Sequence, residues 1–483
     1  MGAPGEDLLL LSASALAARI KGGSLRSLEA VDAHIDKIRS VNGVLNAVVA
    51  ERFDLAREEA QAADALVEAS APEELAQFHG VPCTVKECFA LSGMPHTSGL
   101  AARVGIIAEH DATVVARVRE AGAIPLGVTN ISELCMWLES NNRVYGRTNN
   151  PYDASRIVGG SSGGEGAIVG AGASPFGVGS DIGGSIRLPA FFNGVFGHKP
   201  SGGLVPGTGQ YPIAAEKALT FLTTGPLCRR AEDLWPLLKI MRGPDGVDKG
   251  CREIELGDPE GVSFEGLRVL YVAGNGQSRV SKDLRRAQRA AAWALQDRGA
   301  VIVEKEFPAL KHSFDIWSQM LSDAGGDSFR ELLADHSEIH LGHELLRWLT
   351  FQGTHTLPAL GLAWGESLPF IVPENKDAML NIGAELKAQL AREIGAHGVM
   401  LFPTYTRTAP PHYLPLLIPH HAAYTAILNV MEMPVSQVPM GLDRKGLPLG
   451  VQVASIHGND HLCVAAAMAL EQAVGGWVPP WQT

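Results

Sequence analysis

The stretch Val158–Pro200, VGGSSGGEGAIVGAGASPFGVGSDIGGSIRLPAFFNGVFGHKP, decides how the rest of the chain is read. Glycine is dense in it, two serine clusters sit inside it, and bulky side chains are scarce. Glycine lets backbone approach backbone or ligand and adopts turns closed to other residues. Ordering so many glycines costs more conformational entropy than packing alone would justify. Gly159-Gly160-Ser161-Ser162-Gly163-Gly164 opens a short helix of small residues running through Ala171. Asp181-Ile182-Gly183-Gly184-Ser185-Ile186-Arg187 forms a second Gly-Gly-Ser turn. The helix, turn and strand between them suffice to bring Ser161 and Ser185 face to face.

Working outward, Gly80 to Lys86 reads as a strand after a turn, with Val81, Cys83 and Val85 on one side and Thr84 and Lys86 on the other. Thr113 to Ala121 reads as a helix ended by Gly122, and Ala123 to Val128 as the next strand. This β–helix–β unit favours a right-handed crossover and parallel pairing. Val178 to Ser185 continues the sheet into the second turn. Leu267 to Ala273, Val301 to Glu304 and Val399 to Pro403 read as further strands, and Ser281 to Arg298 as a helix stopped by Gly299. At the N-terminal end Ser12 caps a first helix, Ser24 or Ser27 starts a second, and residues 52–69 form a third. Segment Gly446–Gln452 completes the sheet. The expected fold is one α/β domain over residues 1–483, its mixed, mostly parallel sheet covered by helices on both faces. Residues 70–205 carry the core motifs.

Residues 305–395 read as helical and rich in large apolar side chains: Phe314, Trp317, Met320, Leu345, Trp348, Phe351, Leu360 and Trp364. Most of these are expected in the core. Trp317 and Trp348, with Met136 and Trp137, are candidates for lining a substrate pocket.

Composition narrows the function. A chain of 483 residues with 46% hydrophobic content can bury a large core. A net charge of −12 argues against a phosphate-binding surface, and no Lys/Arg run would track a nucleic acid. Six cysteines form no Cys-x-x-Cys pair, which suggests free thiols in a reducing compartment and a soluble, cytoplasmic protein. The apolar segment Leu8 to Ala18 is shorter than the roughly 20 residues a bilayer requires, so no transmembrane anchor is expected.

The pattern GGSSGG…GSDIGGSIRLPA…GVFGHKP, with Lys86 upstream in Gly80-Val81-Pro82-Cys83-Thr84-Val85-Lys86-Glu87, resembles the amidase signature family. Within that family the chain is most similar to the fatty-acid amide hydrolases of type 2, through SELCMWLES (132–140), YGRTNNPYD (145–153), residues 180–201 and GLPLGVQV (446–453). The likeness runs through nearly the whole chain. The type-2 enzymes carry an N-terminal membrane segment that is not found here, which tilts the expected substrates toward small soluble compounds. The resemblance implies hydrolysis of C–N bonds, with Ser185 as nucleophile, Ser161 as a serine preceded by a cis peptide, and Lys86 as base. It implies no cofactor and no metal, a small-molecule amide, ester or carbamate as the only partner, and a homodimer.

Those residue types suit the chemistry. A serine hydroxyl is a weak nucleophile until a base takes its proton. Lys86 can be that base only as the neutral amine, the form that burial favours. A hydroxyl at Ser161 donates and accepts at once, so it can relay a proton. Backbone N–H groups of Ile182, Gly183, Gly184 and Ser185 can converge into an oxyanion hole. Asp181 and Arg187 flank that turn and would orient it, and Ser162 would support Lys86.

Other readings compete. Gly159 to Gly163 also fits G-x-S-x-G, the nucleophile elbow, but the preceding Asn149-Asn150-Pro151-Tyr152-Asp153 is turn-like where a strand is needed. No Gly-Lys-Ser/Thr follows to make a phosphate loop, and His420-His421 are adjacent and so share neither a helix face nor a strand face. The amidase subunit of a tRNA-dependent amidotransferase and a catalytically inactive scaffold are the remaining alternatives.

Overall fold

Pro82–Lys86, Ile124–Thr129 and Phe176–Asp181 are buried at every position. Strands with no exposed face need cover on both sides, and this requirement organises the molecule. The computed structural model of the chain describes residues 8–335, 337, 339–350, 352–365 and 376–482. Phe351 lies outside the described residues.

In chain order the strands are β1 (Val48–Glu51), β2 (Pro82–Lys86), β3 (Ile124–Thr129), β4 (Asn141–Asn142), β5 (Gly146–Arg147), β6 (Phe176–Asp181), β7 (Phe196–Lys199), β8 (Thr223–Cys228), β9 (Arg268–Tyr271), β10 (Val301–Glu304), β11 (Gly398–Phe402), β12 (Val435–Leu442) and β13 (Pro448–Ala454). Among the described residues, eleven strands form one sheet in the order β1-β3-β2-β6-β8-β7-β12-β13-β11-β9-β10, while β4 and β5 make a separate hairpin. The sheet is mixed. Parallel pairing occupies two blocks, β3-β2-β6 and β11-β9-β10. The strands between these blocks, and the edge strand β1, pair antiparallel.

Helices α1 (Ala13–Lys21), α2 (Ser27–Leu45) and α3 (Phe53–Ala69) come first. Ser12 caps α1 by accepting from the Ala15 N–H at 2.9 Å. Helix α2 starts at Ser27, but neither expected serine caps it: Asp64 of α3 accepts from the Ser27 and Leu28 N–H groups at 2.6 and 3.2 Å, while Ser27 Oγ donates to Gly80 O. The expected β–helix–β unit is present: α4 (Thr113–Glu120) joins the parallel pair β2 and β3, and Gly122 takes a left-handed φ of 90° at its end. Next come α5 (Gly163–Gly170), α6 (Arg187–Phe192), α7 (Leu234–Met241) and α8 (Lys282–Gln296), the last capped by Ser281.

The helical stretch contains α9 (Ser313–Asp323), α10 (Phe329–Leu333), α11 (Leu341–Leu349), α12 (Leu357–Gly365) and α13 (Lys376–Ile394). Of its described large apolar residues named above, only Leu360 is fully buried. Phe314, Trp317, Met320, Leu345 and Trp348 are half-buried and Trp364 is exposed, which corrects the expectation that most are core. On α9, Trp317 and Met320 pack only at the margin of the main core, while α10 to α12 form a small cluster of their own, with Phe329, Leu333, Leu341 and Leu360 packing on Leu100 and Leu134. That cluster ties the helices to the 132–140 loop and leaves their remaining faces open. Helices α14 (Ala423–Val430) and α15 (Asp460–Val474) complete the chain. No helix among the described residues is long and apolar enough to cross a membrane.

Candidate active site

Lys86 ends β2 with its side chain fully buried. Its Nζ donates to Ser161 Oγ at 2.8 Å and to Ser180 Oγ at 2.9 Å. Among the described residues no carboxylate lies within ion-pairing distance of it. A buried lysine whose partners are hydroxyls is unusual, because burying an ammonium normally demands a counter-charge. The nearby Glu165 does not serve as one: Thr84 and Thr129 donate to its carboxyl at 2.6 and 2.9 Å, and burial pushes that carboxyl up to about 8.

Ser161 stands just ahead of α5, and the Gly160–Ser161 peptide is cis. A side chain at Gly160 would run into the Trp137 carbonyl, so glycine is required there. The Ser161 carbonyl accepts from Ser140 Oγ at 3.0 Å and from the Ser132 N–H at 3.3 Å. Ser132 Oγ in turn donates to Trp137 O and Glu139 O at 2.9 and 3.0 Å. The 132–140 loop therefore holds Ser161 in place.

Ser185 lies in the turn between β6 and α6, and Ser162 N–H donates to its carbonyl at 3.3 Å, which links the two Gly-Gly-Ser turns. Asp181 organises the turn. Its carboxylate accepts from the N–H groups of Gly184 (2.7 Å) and Ile186 (3.0 Å) and from Arg187 Nε and Nη2 (3.0 and 2.9 Å). Arg187 also donates to Thr425 O, Gln452 Oε1 and Asn429 Oδ1. Burial alone would raise the Asp181 carboxyl, but Arg187, Lys199 and Asn429 together outweigh it and hold the group well below the usual carboxylate range. From α14, Thr425 Oγ1 donates to Gly183 O at 2.7 Å and Asn429 Nδ2 to Asp181 O at 2.9 Å. Gly184 has a φ of 128°, and a methyl there would strike the Thr425 hydroxyl.

This geometry modifies the expected site. The Gly184 N–H is spent on Asp181, because an amide proton already held by a carboxylate cannot also hold an oxyanion; Gly184 therefore leaves the expected donor set. Ile182, Gly183 and Ser185 keep N–H groups with no acceptor among the described residues. Ser162 does not contact Lys86: its Oγ points to Ser180 O at 3.4 Å, and the hydroxyl beside the lysine is that of Ser180. Trp137 and Trp348 line a cavity of about 430 Å³ together with Thr356, Leu357, Pro358 and Leu416. Met136 packs on the α10–α12 cluster instead. Trp317 donates from Nε1 to Ile182 O at 2.9 Å, so it braces the Ser185 turn and does not line the cavity.

Ser180 and Thr425 escaped the sequence reading, and so did the turn-holding role of Asn429, which the sequence offers only as part of the family-like closing segment with Phe402-Pro403-Thr404, Pro434 and Val435. Ser180 carries a weak signal, standing in the quoted stretch at the end of β6. Thr425 lies more than two hundred residues from the turn it holds and carries none.

The sequence pattern of the family described as Amidase matches residues 29–464. Fatty-acid amide hydrolase 2-A of Danio rerio is 45% identical over 500 residues, covering 99% of this chain and 91% of its own. Fatty-acid amide hydrolase 2 of Homo sapiens is 44% identical, covering 98% and 91%. A solved structure of 6-aminohexanoate cyclic dimer hydrolase complexed with substrate superposes with a TM-score of 0.78 at 26% identity, over 96% of this chain and 97% of that one. With likeness along the whole length, in sequence and in fold, the chain belongs to the amidase signature family and is an amidohydrolase acting on carbon–nitrogen bonds.

Proposed function

We propose that the protein is a serine amidase that cleaves amides bearing an apolar acyl or aryl group through an acyl-enzyme on Ser185. The observation that carries this reading is the buried Lys86–Ser161 hydrogen bond of 2.8 Å, placed one residue from the contact between the two serine turns. Lys86, as the neutral amine, takes the Ser185 proton by way of the Ser161 hydroxyl. Ser185 attacks the carbonyl, and the N–H groups of Ile182, Gly183 and Ser185 receive the developing oxyanion. The proton returns along the same path to the leaving nitrogen, which an amide needs because an unprotonated amine departs poorly. Water then enters, gives its proton to the relay and releases the acid.

The preference for an apolar group in the substrate rests on the fatty-acid amide relatives. The cavity that Trp137 and Trp348 help line also carries Glu139, Asn142, Arg143 and Tyr413 and does not include Ser185, Ser161 or Lys86 in its wall. Esters and carbamates present the same tetrahedral geometry to the same donors and belong to the proposed range. The purified protein should hydrolyse an acyl anilide, and Ser185→Ala should abolish turnover while keeping the fold. Full turnover by that variant would overturn the assignment.

A further inference from the structure

Glu133 and Glu139 are almost wholly buried, and the chemistry above uses neither. They stand near the two ends of the 132–140 loop, and each is held in the same way. His355, between α11 and α12, donates from Nδ1 to Glu133 Oε1 at 2.7 Å, and the next residue, Thr356, donates its N–H to Glu133 Oε2 at 2.8 Å. His412, between β11 and α14, donates from Nδ1 to Glu139 Oε1, and the next residue, Tyr413, donates its N–H to Glu139 Oε2 at 3.1 Å. A carboxylate only accepts, which puts the proton on each Nδ1. Taken out of water it must be met by donors, and here they come from segments more than two hundred residues along the chain.

Between the two glutamates the loop is strained. Leu134 and Cys135 take left-handed φ values, 51° and 60°. Residues with a Cβ keep such values only where the surroundings over-determine the backbone. Leu134 is buried and its N–H donates to Ser98 O at 2.9 Å, and the glutamates pin the chain on either side. The loop sequence, Ser132-Glu133-Leu134-Cys135-Met136-Trp137-Leu138-Glu139-Ser140, reads Ser-Glu at one end and Glu-Ser at the other. Each glutamate is therefore one residue from a serine that grips the Ser161 turn. The Ser132 N–H donates to Ser161 O at 3.3 Å. Ser140 Oγ donates to Ser161 O at 3.0 Å and accepts from the Gly163 N–H at 2.9 Å, while the Ser140 N–H donates to Gly159 O at 3.2 Å.

We propose that Glu133 and Glu139 are positioning residues for the amidase reaction: clamped by His355 and His412, they hold Ser132 and Ser140 against the Ser161 turn and so keep the Ser161 hydroxyl on Lys86. The effect on turnover rests on the serine-amidase reading, whereas the clamp does not. With one clamp released, the strained loop relaxes, its serines leave the Ser161 and Gly159 carbonyls, and the relay hydroxyl loses its place. The loss falls on proton transfer to the leaving nitrogen, so an anilide suffers more than an activated ester, whose leaving group departs without a proton.

The test compares His355→Leu and His412→Leu with His355→Asn and His412→Asn in the full-length protein. The asparagine amide nitrogen takes the place of Nδ1 and keeps the donor, while leucine has the same branching and no donor. Anilide and activated-ester turnover are measured beside hydrogen exchange of peptides spanning 132–140 and 159–163, with exchange in β9 and β10 as the check on folding. Each leucine variant should exchange the two loop peptides faster. Its anilide turnover should fall on the order of 10²-fold, the cost of a misplacement of about 1 Å, with a smaller loss on the ester. Each asparagine variant should recover most of both. Glu139→Gln, which offers one acceptor oxygen in place of two, should show the same changes at smaller size and serves where a leucine variant unfolds. Parental exchange in the folded leucine variants would overturn the proposal. So would faster exchange with anilide turnover unchanged, equal losses on anilide and ester, or asparagine variants as impaired as the leucine ones. Parent protein with no anilide turnover, or full turnover by Ser185→Ala, would contradict the serine-amidase reading instead, and the exchange rates would still decide the clamp.

Discussion

Lys86 Nζ donates to Ser161 Oγ across 2.8 Å, fully buried and with no carboxylate in ion-pairing reach among the described residues. A buried lysine held by hydroxyls can pass its proton to and from them. Lys86→Met should therefore lower anilide turnover by about 10²–10⁴-fold, the usual worth of a positioned acid–base group. The loss on a matched activated ester should be smaller, because its leaving group departs without a proton. Parallel kcat/KM measurements on the two substrates check this, and equal losses would weaken the acid–base role.

Asp181 and Arg187 make a buried ion pair at 2.9 Å that holds the Ser185 turn. The folded carboxyl is held below its unfolded value, so its contribution to stability is fully present above about pH 4 and is lost as pH falls further. Arg187→Met leaves the carboxylate buried and alone. It should cost about 3–5 kcal/mol at pH 7, measured by urea unfolding, and should remove the part of the acid sensitivity that Asp181 supplies.

Glu165 behaves oppositely. Burial raises its carboxyl to about 8 in the folded protein. Its contribution is therefore most favourable below the unfolded value of about 4.3 and is lost as pH rises toward 8. Glu165→Gln can keep hydrogen bonds with both Thr84 and Thr129 without carrying a charge. Urea midpoints at mildly acidic and mildly alkaline pH should fall less in the variant than in the parent. Equal falls would contradict a neutral Glu165.

Thr425 fixes the Gly183 carbonyl from across the molecule at 2.7 Å. Thr425→Val keeps the volume and deletes the donor. A net hydrogen bond is worth about 0.5–1.5 kcal/mol, so kcat should fall by up to roughly ten-fold with KM little changed. An unchanged kcat would mean that the turn is set by Asp181 alone.

The sequence made some of this legible and not the rest, for physical reasons. Strands β3 and β11 announce themselves as apolar runs bounded by turns, and β2 by Val81, Cys83 and Val85 alternating with Thr84 and Lys86. Strand β8 does not, because Pro226 breaks the pattern; the structure tolerates it because β7 pairs only with Leu227 and Cys228, leaving the Pro226 position unpaired on that side. The two serine turns and Lys86 stand out because chemistry demands glycine and hydroxyls at close spacing. Ser180, Thr425 and Asn429 do not, because their roles depend on how distant segments pack. Gly184 shows the converse limit: its place in the turn was legible, but the commitment of its N–H to Asp181 depends on the turn's coordinates.

Labelling the purified protein with a fluorophosphonate, followed by intact mass and peptide mapping, decides whether Ser185 is the activated nucleophile. The expected result is a single adduct on Ser185, absent from a folded Ser185→Ala variant and strongly reduced in Lys86→Met. An adduct on Ser161, or full amide turnover by Ser185→Ala, would contradict it.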